Sequence, residues 1–592
     1  ETDIQKIAVY DDRIIQERPA FAVKQGALSL TNAPFRAISQ STSQHTYNVN
    51  VPSLNVFVDR GVDWTSTFYV KADLTFNTAP LNGVSVLNLG KDTAVPAFPL
   101  HSLCNTVTCT INDATTTLNV NDVIYEMLRL TDFEKNRKQR TCPTMLDKYG
   151  SYNDGKGAIN DVLSGYQDAT DFDNVPNGAY FAVHEVDDAG VVLATPTAGD
   201  GSETDFTLYF RITSTEKIML SPFVFSDLHE NDTGLFGVQN MNFVMNIGTG
   251  SRILRTNREG CTMTAALYTP QNKSSAFENS QLDVQFLTPS LSVPLPPRSI
   301  VPYWEFPRYL SSHNLSGFTS GAKTNIISNT IVLPCIPDLF LIYAKPRVSD
   351  LTTNDADFYF PIEHISLQFD NFAGVLSSHN VHQLYSMSFQ NGLEIDYNSW
   401  RGQAKTAESK NTNTQLVGGF LCLRPGTDIT LQEGQAPGLL GSYSFQCNIT
   451  IRNTSSRTFQ NANLFIVAVN SGFFETQNGS SRILKSVLSE ADVLSAKTGG
   501  TTTGNLQRMV GSGLGKHLGS RLMTMIRNHR PIVSSVKTAL QNSNSKVANK
   551  VGDFLETKGF GQCGAGVTGA GKTGAGKEKK KDQKKAILSR LM

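Results

Sequence analysis

Through most of the chain, apolar and polar positions alternate in short runs. Across 64–76, Val70, Ala72, Leu74 and Phe76 fall on one side, and Lys71 and Asp73 on the other. A period of two is the signature of a strand with one buried face. The same pattern predicts strands at 47–51, 54–58, 106–111, 206–212, 241–247, 330–343, 365–369, 443–451 and 463–469. Gly and Pro punctuate these runs, which favours an all-β body of short strands.

Part of the pattern recurs. Phe98-Pro99-Leu100 is followed by a strand-like run, Asn112-Asp113, and a short helical pattern at Asn121-Asp122-Val123 with Tyr125 and Leu128. Phe360-Pro361-Ile362 is followed by a strand-like run, Asp370-Asn371, and a helical pattern from His379-Asn380-Val381 to Leu384-Tyr385. Downstream, Gly234-Leu235-Phe236-Gly237 matches Gly438-Leu439-Leu440-Gly441, and Ser251-Arg252 matches Ser456-Arg457. Matches in one order at similar local spacing indicate an internal duplication. The first copy is longer by about 58 residues, which the Asp-, Gly- and Asn-rich stretch 131–205 supplies as long loops.

Each half is then about 200 residues of short strands, a length that suits an eight-stranded jelly roll. The expected fold class is all-β: two tandem jelly-roll β-sandwich domains with long loop insertions, plus a partly helical then disordered basic C-terminal tail. The expected boundaries are an N-terminal arm at 1–44, a first jelly roll at 45–270 with its insertion near 131–205, and a linker at 271–298. A second jelly roll at 299–475, an amphipathic helical segment at 476–558 and a Gly-rich, Lys-rich tail at 559–592 complete the chain.

Charge adds a polarity that the zero net charge conceals. From Thr501 to Met592 there are 17 Lys+Arg against 4 Asp+Glu, leaving the first 500 residues at −13. Val533, Val536, Leu540, Val547, Val551 and Phe554 suit one face of a helix. Such a helix can pack on the body, cover a neighbour or lie on a membrane. Beyond it come three Gly-Ala-Gly units and a lysine run. The expected nucleic-acid-binding residues are Lys572, Lys577, Lys579, Lys580, Lys581, Lys584, Lys585 and Arg590, because clustered cations bind phosphates without sequence preference. No aromatic residue follows Phe560, so base stacking is not expected.

Catalytic chemistry has little support. Gly566–Thr573 reads GVTGAGKT, but the Gly-Ala-Gly repeat explains that P-loop match, and no strand pattern precedes it. His184-Glu185 has no second His at metal spacing, and Asp168, Asp171 and Asp173 lack the glycine and distal Glu of a calcium loop. Eight scattered cysteines form no Cys-x-x-Cys pair and read as free structural thiols. No catalytic, cofactor or metal residue is expected.

The duplicated β-rich body, its insertions and its N-terminal arm resemble double jelly-roll viral major capsid proteins of the polinton-like virus and virophage type. The resemblance rests on 98–130 and 360–393 together with the paired Gly-Leu segments, and spans roughly residues 45–475. It implies homotrimers tiling an icosahedral shell, minor capsid or penton proteins as neighbours, and a virion location after synthesis in the host cytoplasm, with nuclear import open. The basic tail is not general in that family. It leaves room for a small RNA or single-stranded DNA virus capsid with one shell domain and one projecting β-domain. In some relatives a maturation protease removes a C-terminal segment, and Gly499-Gly500 is the corresponding junction here. A lectin-like or fibre β-sandwich is the reading from another class.

Overall fold

The structure is a computed structural model. It describes residues 29–88, 92–130, 147–152, 180–223, 234–258, 260–289, 298–393, 395–405, 413–485, 489–491 and 493.

The first domain contains β1 (Ser29–Arg36), β2 (Gln44–Asn50), β3 (Asp63–Phe76), β4 (Cys104–Ile111) and β5 (Ala114–Leu118), with helices α1 (Pro99–Leu103) and α2 (Val120–Leu130). It continues with β6 (Tyr180–Val186), β7 (Asp205–Lys217), β8 (Asn240–Ile247), β9 (Cys261–Leu267) and β10 (Phe277–Thr288). One sheet runs β1-β10-β3-β7-β6, with β9 also beside β3; the facing sheet runs β2-β8-β4-β5. All pairings are antiparallel.

The second domain contains β11 (Ser299–Glu305), β12 (Arg308–Phe318), β13 (Lys323–Ile327), β14 (Ile331–Cys335) and β15 (Leu339–Pro346). Then follow β16 (Ile362–Phe369), β17 (Phe372–Val375), helix α3 (Val381–Gln390), β18 (Leu421–Leu423), β19 (Leu440–Arg452), β20 (Phe459–Gln477) and β21 (Ser480–Lys485). One sheet is β11-β20-β15-β18, with β12 and β21 also on β20; the other places β13 and β14 against β19, followed by β16 and β17.

Both domains therefore repeat one topology. Taken in order along each half, the eight core strands form sheets 1-8-3-6 and 2-7-4-5, the jelly-roll arrangement. The repeat is visible at single residues. Both hairpin turns open with a left-handed residue, Asn112 at φ 54° and Asp370 at φ 49°. Asn and Asp tolerate that region better than other side chains. Leu235 pairs with Val58, just before β3, while Gly438 and Leu439 pair with Ile336, just before β15. Gly234 is required at its position, because a Cβ there would lie 2.7 Å from the Val58 carbonyl oxygen.

Aromatic residues fill the sandwiches. Trp64 is fully buried and its indole N–H donates to the Tyr47 hydroxyl at 2.8 Å. In the second domain Phe340 stacks on Phe445, with ring centroids 4.6 Å apart.

Four expected boundaries move. The expected arm 1–44 contains β1, which pairs with β10 along its whole length. The expected linker 271–298 contains β10 itself, the last strand of the first sandwich. The second sandwich runs past 475, because β20 ends at Gln477 and β21 turns back on it, so the expected helical segment opens as a strand. Within the expected loops of 131–205, β6 adds an edge strand to β7. The run expected at 330–343 is two strands, interrupted by Ile336-Pro337-Asp338. Chain contacts divide the molecule at Gly500; the segment 501–592, including the expected amphipathic helix, lies outside the described residues.

Candidate assembly surfaces

The two sandwiches are joined by a charged and aromatic seam. It begins at α2, whose first turn is set by Asn119 accepting from the Asp122 N–H at 3.3 Å. Val123 and Met127 point into their own domain's core, and Asp122 and Glu126 face the second domain. Asp122 forms an ion pair with Arg308 of β12, and its carbonyl accepts from the Tyr343 hydroxyl of β15. Glu126 is fully buried; it forms an ion pair with Lys345 and accepts from the Tyr359 hydroxyl at 2.8 Å. The Lys345 ammonium lies 4.9 Å from the Tyr359 ring and 5.0 Å from the Tyr343 ring. Tyr343 in turn stacks on Phe465 at 5.1 Å. Burial raises the Asp122 carboxyl despite Arg308 and Lys345.

A second cluster closes the seam further along. Arg255 and Arg252 reach Asp357 at 2.9 and 3.2 Å, and Arg457 pairs with Asp355. Burial alone would raise the Asp357 carboxyl, but the two guanidiniums hold it well below the carboxylate range. Asp147 behaves oppositely: burial pushes it up to about 6 although Arg255 is near. Its Oδ1 accepts from the Tyr152 hydroxyl at 3.0 Å. Backbone bonds complete the join, with the Thr256 N–H donating to Thr353 and the Gly479 N–H to Gly237. Asn112 donates to the Ser481 hydroxyl at 2.8 Å. Such ion pairs fix geometry more than they add net stability, since desolvation opposes the attraction. Two sandwiches locked this way act as one building piece.

Buried groups that look catalytic have structural duties. His101 and Glu216 are both fully buried, 2.6 Å apart. The Met219 N–H donates to His101 Nε2 at 3.2 Å, so Nδ1 carries the proton and donates to Glu216. Glu216 also accepts from the Leu100 and His101 N–H groups, which anchors α1. Both imidazole nitrogens are thus engaged, and water has no access. The described cysteines, Cys104, Cys109, Cys261, Cys335, Cys422 and Cys447, are buried. Among the described residues no cluster of His, Cys, Asp and Glu suits a metal, and no helix is long and apolar enough to cross a membrane.

The residues expected to bind nucleic acid, Lys572 to Arg590, lie outside the described residues, as do the P-loop-like run and Asp168, Asp171 and Asp173. What sequence reasoning missed is the seam. Its one sequence signal was the Ser-Arg repeat, whose members Arg252 and Arg457 converge on the loop holding Asp355 and Asp357.

Comparison with known proteins bears on both halves. Residues 2–287 match the family model of the Sputnik virophage major capsid protein first domain, and residues 306–472 match that of the major capsid protein V20 C-terminal domain. The capsid protein V20 of Sputnik virophage is 26% identical over 589 residues, covering 95% of this chain and 94% of that protein. The cryo-EM structure of the Sputnik virophage matches with a TM-score of 0.66 at 24% identity, over 85% of this chain and 98% of its own. The crystal structure of the mavirus major capsid protein matches with a TM-score of 0.60 at 11% identity, over 83% and 98%. With matching models on both halves and one topology repeated in each, the chain belongs to the double jelly-roll viral major capsid proteins of the virophage type.

Proposed function

We propose that this chain is the subunit that builds an icosahedral virion shell, assembling as homotrimers and enclosing the genome, with a structural and not a catalytic role. The observation that carries this reading is the pair of jelly rolls fused by a buried seam. A shell needs a rigid tile with large repeated faces, and two locked copies of one sandwich supply it. Minor capsid or penton proteins would occupy the vertices that such tiles leave open. Synthesis in the host cytoplasm, with or without nuclear import through the lysine run, completes the reading.

The tail serves as the genome contact on the interior side. Lys572, Lys577, Lys579, Lys580, Lys581, Lys584, Lys585 and Arg590 face only Glu578 and Asp582 as opposing charges in that stretch. Lysines that neutralise phosphates release counterions, so affinity should fall steeply with salt and ignore sequence. A maturation protease acting near Gly499-Gly500 would remove this segment, and mass spectrometry of chains from purified particles decides between retention and removal.

Electron microscopy of the purified protein tests the shell reading. Closed particles or hexagonal tiles are expected, and a chain that stays monomeric at high concentration over several salts would overturn it. Replacing the eight basic tail residues by Gln should abolish salt-dependent nucleic-acid retention while particles still form. Unchanged retention would overturn the tail's role.

A further inference from the structure

Helices α2 and α3 are duplicates, and their burial differs in one respect. Each follows the first hairpin of the second sheet, and an Asn, Asn119 or Asn380, sets its first turn. Aligned from Val120 and Val381, the positions facing their own domain agree: Val123 and Leu384 are buried, as are Met127 and Ser388. The outward positions do not agree. Asp122 is half-buried against Arg308, whereas Gln383 is exposed. Glu126 is fully buried, whereas Met387 is half-buried. Against α2 lies the outer face of the second domain's β12-β20-β15 sheet, through Arg308, Tyr343 and Lys345.

The matching sheet face in the first domain is open. On β1, Leu30, Asn32, Pro34 and Arg36 are all exposed, and Leu30 is 60% exposed. They sit opposite Leu287, Gln285, Asp283 and Gln281 of β10, in register. One chain thus carries an uncovered helix at one end of a duplicated contact and an uncovered sheet at the other.

We infer that α3 is the contact element between copies: its outward face seats on the β1-β10 face of a second copy, repeating between chains the contact that α2 makes within one. This rests on the proposed self-assembly. The occupant is a second copy because the chain already shows the same helix on the same sheet face. A head-to-tail contact of this kind closes into a ring when the rotation suits. Closure after three chains places six near-equivalent sandwiches around one axis. The chemistry also fits a joint made after folding. Gln383, Ser386, Met387 and Gln390 meet Asn32, Arg36, Gln281 and Asp283, a mostly polar surface that is stable in water before assembly, unlike the apolar and paired surface under α2.

The test uses the full chain. Ser386→Asp with Met387→Asp alters the outward face of α3, and Leu30→Asp with Pro34→Asp independently alters β1. These side chains are exposed or half-buried, so near-UV circular dichroism should be unchanged. Sedimentation over a concentration series should show each variant's trimer dissociating at a concentration about tenfold or more above wild type, about a hundredfold change in the trimer's dissociation constant or about 2.8 kcal/mol per trimer. In a second measurement, Gln390→Cys labelled with a benzophenone is photolysed in a background with Cys142 and Cys563 replaced by Ser, the six described cysteines being buried. Interchain cross-links should map to Ser29–Arg36 or Phe277–Thr288. If wild type is oligomeric and both variants match it, or the cross-links map elsewhere, the α3 contact is wrong while self-assembly stands. If wild type is monomeric throughout, both fall.

Discussion

Replacing Asp357 by Ala should loosen the joint between the two sandwiches. Asp357 is the shared acceptor of Arg252 and Arg255, whose side chains are 15% and 1% exposed, while the carboxylate itself is 27% exposed. The substitution leaves two guanidiniums facing each other, and each already disfavours the other's charge. Removing one partner of a buried pair costs about 3–5 kcal/mol. The lower end applies here, about 3 kcal/mol, because Asp355 and Asp147 still offset part of the exposed charge and Asp357 is partly solvated. Urea, which unlike guanidinium does not screen ion pairs, is the denaturant to use, followed by near-UV circular dichroism. Because the Asp357 carboxyl is held well below its usual range and Asp147 titrates near 6, the loss should be the same at about pH 7.5 and about pH 8.5. A double variant, Arg255→Met with Asp357→Leu, should recover about half of it, since one of the two orphaned guanidiniums is gone while Arg252 remains. A loss under about 1 kcal/mol for Asp357→Ala, or a double variant no better than the single, would refute the view that this charge cluster holds the joint.

Three further outcomes are expected. Phe340→Ala should cost about 3–5 kcal/mol in the same urea assay, because a fully buried ring stacked on Phe445 leaves a cavity. Asp147→Asn should remove a pH dependence: a carboxyl raised to about 6 favours folding when protonated, so its contribution is full below about pH 4 and lost as pH rises through 6. The variant should therefore match wild type near pH 4 and exceed it by up to about 3 kcal/mol at pH 8, and an equal pH dependence in both proteins would count against the burial account. At the second hairpin turn, Asp370→Gly should leave thermal stability nearly unchanged, whereas Asp370→Val should lower it by about 1–2 kcal/mol, because a β-branched side chain is strained at φ 49°.

The sequence made the duplicated sandwiches legible wherever a strand has one wet face. In β3 the alternation of Val70, Ala72, Leu74 and Phe76 with Lys71 and Asp73 is that face written out. Strand β1 was illegible for the opposite reason: as a sheet edge whose inward side buries only part of Ala33 and Phe35, its sequence SLTNAPFR carries almost no alternation. Strand β10 does alternate, through Leu282, Val284 and Phe286, but its neighbouring prolines suggested a linker. The ion pairs of α2 left no local trace. Asp122 meets Arg308 and Glu126 meets Lys345 across nearly two hundred residues or more, and no spacing rule reaches that far. The hairpin matches around Asn112 and Asp370 survived because a left-handed turn restricts residue choice at a single position.

The two copies also differ in a way that reports their surroundings. Strand β3 alternates, whereas its counterpart β15 reads Leu-Phe-Leu-Ile-Tyr-Ala and is buried on both faces. A strand becomes continuously apolar when both sides of its sheet are covered. For β15 the inner cover is the sandwich core, where Phe340 meets Phe445, and the outer cover includes α2 beyond Tyr343. For β3 the outer side carries hydroxyl pairs instead, Thr65 with Thr215 and Thr67 with Thr213, both at 2.8 Å. A duplication that began with two similar sheets has therefore diverged on their outer faces according to what each one meets. The face covered permanently within the chain has become aromatic and ion-paired. The face that must stay soluble until another copy arrives has kept Thr, Gln, Asn and Asp. Exchanging these characters should be harmful in both directions: polar residues at Tyr343 and Phe465 would leave the seam underpacked, and aromatic residues at Asn32 and Gln285 would make the free chain associate before it is correctly folded.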